Sequence, residues 1–434
     1  MMPDILITNA ILLPEPGSRD TVDRGFIAIR NGLIENIGSM PDLADGKAGE
    51  IIDAGGCLVM PGLVNTHCHA AMTLFRGLAD DLELAAWLNE HIFPAEAAHV
   101  NKEMVYWCSK LAAAEMLLAG TTLVADGYFH EDDAARAFSE TGLRSVAAHG
   151  IIDFPAPGVT DPAKNIDAVA LFVDEWLDRD SLVTPAVFAH SPYTCSPETL
   201  VKAKELAADR QVSFFIHVAE TSIEQSMIRD ARGASPVKHL DALGILDERT
   251  VCVHCVWVDD EDMEILARRK AKVSICPQSH LKLASGHAPL NAMLERFITV
   301  GIGTDGAASN NGLDLFRELD VCAKLQKVRT FDPVAVTAED ILRLATASGS
   351  EVLGFGGRTG ALKKGCLADM VLVDLQRPHL QPFYGPDILV YAAGGGDVRD
   401  VIVDGKIVVR NRKLLTIDLE ETMSRVRKMA QALK

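Results

Sequence analysis

No stretch of the 434-residue chain approaches the roughly 18 consecutive apolar residues of a membrane-crossing helix, because Asp, Glu, Lys or His interrupts every hydrophobic run. A membrane is therefore not an expected partner. Basic residues are also scarce: 42 Lys and Arg stand against 60 Asp and Glu, a formal charge of −18. A field of that sign repels phosphate backbones and anionic lipid, which removes nucleic acid from the expected partners. The first basic residue is Arg19, so the opening segment has no charged start followed by an apolar stretch and a cleavage site. Nine cysteines, an odd number, run from Cys57 to Cys366 without the dense spacing of a disulfide scaffold. They read as reduced thiols in a cytoplasmic protein. Internal repeats and low-complexity tracts are missing too. What is present is an ordinary globular composition, 48% hydrophobic and 24% charged, in a chain long enough for one large barrel with an accessory domain.

Both ends read as β-hairpins. Phe26–Ile29 and Leu33–Ile37 flank Asn31-Gly32, and Val401–Val403 and Ile407–Val409 flank Asp404-Gly405; such dipeptides tolerate positive φ at both central turn positions. With short strands over Ile5–Leu13 and Met370–Leu375, the termini predict a small composite β-sandwich domain from residues 1–58 and 361–434. Residues 59–360 would be inserted into it. That segment alternates eight apolar β-rich runs, beginning near Leu58, Thr121, Arg144, Leu182, Gln211, Thr250, Lys272 and Ile298, with stretches of helical periodicity. Predicted helices include one carrying Met104, Cys108, Leu111 and Leu118 on one face and stopped by Gly120. Others cover Pro197–Ala208, Leu313–Lys327 and Ala338–Leu353, the last with Thr337 as N-cap. Eight strand–helix units predict a closed (β/α)8 TIM-like barrel, with a doubly wound sheet as the alternative.

The active face of such a barrel lies where its strands end, and reactive side chains gather at those points. Taken in strand order they are His67 and His69, Asp126 and His130, His149, His190, His217 and Glu220, His254, His280, and Asp305. Alternation along a strand sends His67 and His69 to the barrel interior and Cys68 away from it. A His-x-His pair alone can be two satisfied loop residues. With His217 and Asp305 it becomes a nitrogen and oxygen set suited to zinc or another divalent transition metal. Other features carry less. Cys252 and Cys255 lie three apart on a strand and so face opposite sides. Gly354–Gly360 and Gly394–Gly396 lack the residues of a phosphate loop, and Arg268-Arg269-Lys270 closes a helix pattern. His130, His239, His287 and His379 read as structural or exposed.

Four segments, Pro61–His69, Ile216–Thr221, Val253–Cys255 and Gly303–Asn311, together resemble the amidohydrolase superfamily over essentially the whole chain. The block His67–Glu96, with Met72–Asp81, Trp87 and Pro94-Ala95-Glu96, is similar to the 5′-methylthioadenosine/S-adenosylhomocysteine deaminase branch, as are His190–Ser196 and Leu281–Gly286. The resemblance implies one divalent metal per chain, zinc, held by His67, His69, His217 and Asp305 with a water. It implies that Asp305 holds that water and takes its proton, that Glu220 is the proton shuttle, and that His254 stabilises the water. It implies that Glu96 and His190 bind ribose hydroxyls of a small-molecule nucleoside, a carboxylate being a natural acceptor for a diol. Trp87 would cover the base or its 5′ substituent.

The expected reaction is hydrolysis of a 6-amino group of an adenosine-type nucleoside to the inosine analogue and ammonia. The alternatives are another aminohydrolase or chlorohydrolase of the superfamily, acting on a free base, pterin, triazine or aminofutalosine, and a non-catalytic barrel scaffold. A homo-oligomer is allowed. Members of the branch that accept S-adenosylhomocysteine resemble one another in an arginine just after strand three and a second in the following loop. Here His149 takes the first position, and Ile151–Pro162 contains no basic residue. His149, if protonated, is the one remaining group there for a tail carboxylate, whereas Leu78, Trp87, Phe154 and Pro155 would offer apolar surface. The expectation is that 5′-methylthioadenosine, 5′-deoxyadenosine or adenosine is handled better than S-adenosylhomocysteine.

Overall fold

A computed structural model describes residues 2–43, 46–82 and 86–433 of the chain; residues 83–85, inside the block His67–Glu96, and 44–45 fall outside it. Both hairpin turns form as predicted. Asn31 and Gly32 have φ of 51° and 75°, and Asp404 and Gly405 of 51° and 70°, the left-handed pair that matches the twist of the flanking strands. Among the described residues nine strands from the two ends make one mixed sheet. Ile5–Leu12 sits within it, antiparallel to Val22–Arg30 and parallel to Glu50–Asp53 and Cys57–Pro61. Cys57–Pro61 pairs antiparallel with Met370–Asp374, which pairs with Val398–Val403. Ile7, Leu12, Ile27, Met370 and Ile402 are fully buried in its own core.

Eight parallel strands follow in chain order: Leu63–Cys68, Thr121–Tyr128, Arg144–Ile151, Val183–Ala189, Phe214–Val218, Thr250–His254, Lys272–Ile275 and Val300–Ile302. The ring closes where the eighth strand returns to the first. The N–H groups of Thr304 and Asp305 donate to the His67 carbonyl at 3.1 and 3.0 Å, and the Asn65 amide donates to Thr304 Oγ1 at 2.7 Å. That closure decides for the barrel over the doubly wound sheet.

Side chains alternate across each strand. Val64, Ala125, Val146, Ala186, Phe215 and Val251 fill the interior, while Ala147, Val187, Ile216 and Val273 pack outward into the larger core. The two units are tied by Arg144, 1% exposed at the start of the third strand. Its Nε and Nη2 donate to Asp369 at 2.7 and 3.1 Å, and Nη2 reaches Asp404 at 3.0 Å.

Two predicted elements are divided. The run Leu58–Asn65 is one strand of the terminal sheet and one of the barrel, parted at Gly62, where a Cβ would stand 2.0 Å from Thr122 Oγ1. The helix predicted over Ala338–Leu353 breaks into Ala338–Leu344 and Ala347–Val352. There the Thr346 hydroxyl donates to the Leu342 carbonyl at 2.6 Å and competes with the helical ladder. The predicted N-cap Thr337 is in place, closed as a capping box by Asp340. Among the described residues no helix is long and apolar enough to cross a membrane.

Candidate metal centre and active site

At the carboxyl ends of the barrel strands, four of the predicted donors converge. The pairing of the first strand with the second slips between Asn65 and Cys68. Thr66 and His67 can then both face inward: Thr66 Oγ1 lies 2.6 Å from Ser274 Oγ, and the His67 ring lies 6.0 Å from Phe188. His69 Nδ1 is 2.6 Å from the Gly127 carbonyl, which fixes a proton on that nitrogen and turns the Nε2 lone pair toward the other donors. His217 Nε2 approaches His67 Nε2 to 3.2 Å, and Asp305 Oδ1 lies 3.5 Å from His67 Nε2 and 3.4 Å from His69 Nε2. Ligand atoms of His67, His69 and His217 all fall within 4.8 Å of one another.

Burial pushes the three imidazoles down, His69 to about 4 and His217 well below its ordinary value, so all three are neutral. Burial works against ionised Asp305, but the His67 hydrogen bond and the neighbouring imidazoles hold it well below the usual carboxylate range. Three neutral imidazoles and one carboxylate with lone pairs aimed at one point fit a divalent transition metal. The close approach depends on Gly303, where a Cβ would meet the His67 backbone nitrogen at 2.7 Å. Asp305, at φ 61°, is fixed by the Gly306 N–H on Oδ1 at 2.8 Å. Ser279 and Ser309 donate to its Oδ2 at 2.6 and 2.8 Å.

His254 reaches the site by a different route. Alternation from outward Cys252 would turn it away, but His254 and Cys255 have φ of 80° and 48°, and this left-handed backbone returns the imidazole to the interior. Such conformations are costly for residues with a Cβ and gather at functional sites. The same turn corrects the expectation that Cys252 and Cys255 face apart, for both side chains are buried in the same outer core. His254 Nε2 lies 3.8 Å from Glu220 Oε2, and its Nδ1 lies 3.0 Å from Nε2 of His280. Burial holds His254 down at about 4. Burial, and then the charge of Asp305, push Glu220 up to about 8, so its carboxyl carries a proton at neutral pH.

These groups close one end of a cavity of about 290 Å³. Much of the rest of its wall is apolar, including Trp87, Leu88, Phe93, Phe154 and Pro155, and among the described lining residues there is no Lys or Arg. Glu96 lies on the helix Phe93–His99, where its Oε1 accepts the Tyr128 hydroxyl at 2.6 Å and burial pushes it up to about 7. His190 lines the same wall, with Nδ1 2.9 Å from Thr194 Oγ1, and is held down at about 3 by burial.

Two expected contacts fail. His149 shares a strand face with outward Ala147, lies outside the cavity lining and packs its ring 5.6 Å from Phe172. It is the neighbouring Gly150 that faces the cavity. Leu78 is 40% exposed and also outside the lining. Tyr128, Phe93 and Tyr193 were not singled out from the sequence, and His280 was noted only for its place at a strand end.

Residues 58–408 match the amidohydrolase family. The chain belongs to that family. Among relatives of this amidohydrolase is a 5-methylthioadenosine/S-adenosylhomocysteine deaminase of Syntrophobacter fumaroxidans, 45% identical over 433 residues, 99% of this chain and 98% of the relative. A 5′-deoxyadenosine deaminase of Methanosarcina mazei is 42% identical over 100% of this chain and 99% of its own. A crystal structure of an adenosine deaminase from Xanthomonas campestris with bound zinc superposes with a TM-score of 0.97 at 35% identity, covering 99% of this chain and 98% of that one. A zinc-containing atrazine chlorohydrolase from Arthrobacter aurescens, at 22% identity and TM-score 0.91 over 98% of this chain and 100% of its own, shares the fold.

Proposed function

We propose that this amidohydrolase is a zinc-dependent deaminase, one metal per chain, that hydrolyses the 6-amino group of adenosine-type nucleosides to the inosine analogue and ammonia. The observation that carries the reading is the convergence of His67, His69, His217 and Asp305 beside Glu220, in a cavity that also holds Glu96 and His190. The names of the full-length relatives support the substrate class. Zinc, when bound by those four residues, supplies Lewis-acid activation of water at neutral pH.

The chain's own groups handle the protons and the substrate. Glu220 donates its proton to the ring nitrogen beside C6 as water oxygen adds to that carbon, and His254 and Asp305 accept the proton that the water gives up. That proton then passes to the amine, the C6–N bond breaks to release ammonia, and the proton on the added oxygen goes to Glu220, which returns to its starting state. Glu96 and His190 hold the ribose hydroxyls, and Trp87 covers the base or its 5′ substituent. Ammonia release from a panel of 6-aminopurine nucleosides tests the reading; no release from any of them, with release or chloride loss from free bases or triazines, would overturn it.

The cavity wall argues further about the 5′ tail. A tail carboxylate would be desolvated without a cation to meet it, whereas a methylthio or methyl group finds apolar surface at Trp87, Phe93 and Phe154. The expected kcat/KM for 5′-methylthioadenosine or 5′-deoxyadenosine exceeds that for S-adenosylhomocysteine by at least about tenfold. A preference for S-adenosylhomocysteine in side-by-side assays would contradict this.

Glu96 adds a pH signature. Its carboxyl, raised to about 7, is ionised above that pH and then a stronger acceptor for the diol. KM for adenosine is expected to fall about tenfold as pH rises through 7, an effect of the size of one charge-assisted hydrogen bond. 2′,3′-Dideoxyadenosine and the Glu96→Gln variant should lack this dependence, and its persistence in either would remove Glu96 from the ribose site.

A further inference from the structure

The helix Ser222–Arg232 opens with Thr221 as N-cap and Glu224 three residues on. In a capping box the carboxylate at that position reaches back to the N–H of the cap residue itself. Glu224 reaches past it. Its Oε1 accepts the Ala219 N–H and its Oε2 the Glu220 N–H, both at 2.8 Å, while Thr221 Oγ1 accepts the Glu224 N–H at 3.2 Å. Ala219 has φ 54°, a left-handed conformation that an alanine disfavours. Its carbonyl is taken as well, by the N–H groups of Val256 and Trp257 at 3.0 and 2.8 Å. Glu224 is 2% exposed; burial pushes its carboxyl up to about 8 while the two backbone N–H groups draw it down, and it is the geometry, one N–H on each oxygen, that makes the grip. A side chain serving only to cap the helix would have no cause to grip the two residues before the cap.

We propose that Glu224 is a positioning residue for Glu220: its side-chain oxygens clamp the left-handed Ala219–Glu220 turn and so aim the Glu220 side chain into the cavity. The inference rests on the reading of Glu220 as the proton carrier. A displacement of about 1 Å at such a group is enough to slow a reaction substantially.

The test uses the full-length, zinc-loaded protein. Glu224→Gln keeps the shape but has one acceptor oxygen, so its amide N–H₂ must face a backbone N–H. Expected are a kcat lower by about tenfold, KM within about threefold of wild type, unchanged metal content, and amide exchange at Ala219 and Glu220 faster by at least about tenfold. Adding Ala219→Gly lifts the steric cost of the turn and is expected to recover at least about threefold in kcat. A wild-type kcat with unchanged exchange overturns the clamp, as does a kcat loss that Ala219→Gly leaves untouched. Should Glu224→Gln not fold, Glu224→Asp, too short to reach both N–H groups, carries the same expectation and the same refutation. Failure of the wild type to release ammonia would overturn the deaminase reading instead, and the exchange rates would still decide the clamp.

Discussion

Changing Glu220 to Gln is expected to lower kcat by at least about 10²-fold while the metal stays bound, the range that general acid–base catalysis contributes. Glu220 is not among the converging donors; its Oε2 lies 3.8 Å from His254 Nε2. Its value lies in its proton. Burial and the charge of Asp305 push the carboxyl up to about 8, so at neutral pH it can donate, and once it has donated its conjugate base is strong enough to collect a proton again. Gln preserves the volume and the hydrogen-bonding reach but has nothing to transfer. Binding contacts at Glu96 and His190 are untouched, so KM should change little, and ammonia release with metal analysis on the same preparation separates the two effects. Near-normal turnover in Glu220→Gln would move proton transfer to Asp305 or His254.

The donor set was legible because strand alternation and strand ends are properties of the chain itself. His217 follows outward Ile216 and faces in, and His190 continues the parity of inward Phe188. The same rule, applied strictly, would have excluded His149, which shares the parity of outward Ala147. Its assignment to substrate rests on the resemblance, in which it takes the position of an arginine, and such a correspondence carries no information about facing. Where the backbone turns left-handed, parity fails in the other direction. His254 and Cys255 are brought round by φ values that no residue type at those positions announces, since neither is Gly or Asn. The grip of Glu224 on Ala219 was equally hidden: Thr221 and Glu224 have the spacing of an ordinary capping box, and only the fold decides which N–H groups the carboxylate reaches. Tyr128 ends a strand among outward residues, and its hydrogen bond to Glu96 depends on how the helix Phe93–His99 crosses the barrel mouth. That crossing is a tertiary fact with no local sequence signal.

Replacing His67 or Asp305 by Ala is expected to empty the metal centre and reduce activity by at least about 10³-fold, since the activated water is lost with the ion. Wild-type protein should hold about one zinc per chain by elemental analysis, and the variants well under a tenth of that. The two positions test different parts of the arrangement. His67 lies 3.2 Å from His217 Nε2 and 3.5 Å from Asp305 Oδ1, so its loss removes one of the three nitrogen donors and leaves a cavity between the others. Asp305 contributes the negative charge; its Oδ2 is taken by Ser279 and Ser309, while Oδ1 accepts the Gly306 N–H and keeps a second lone pair for the metal. Asp305→Asn should therefore weaken zinc less than Asp305→Ala yet still remove the proton acceptor, separating metal retention from turnover. Chelation of the wild type followed by zinc return should abolish and then restore ammonia release. A metal-free preparation with full activity would overturn the assignment of all four donors.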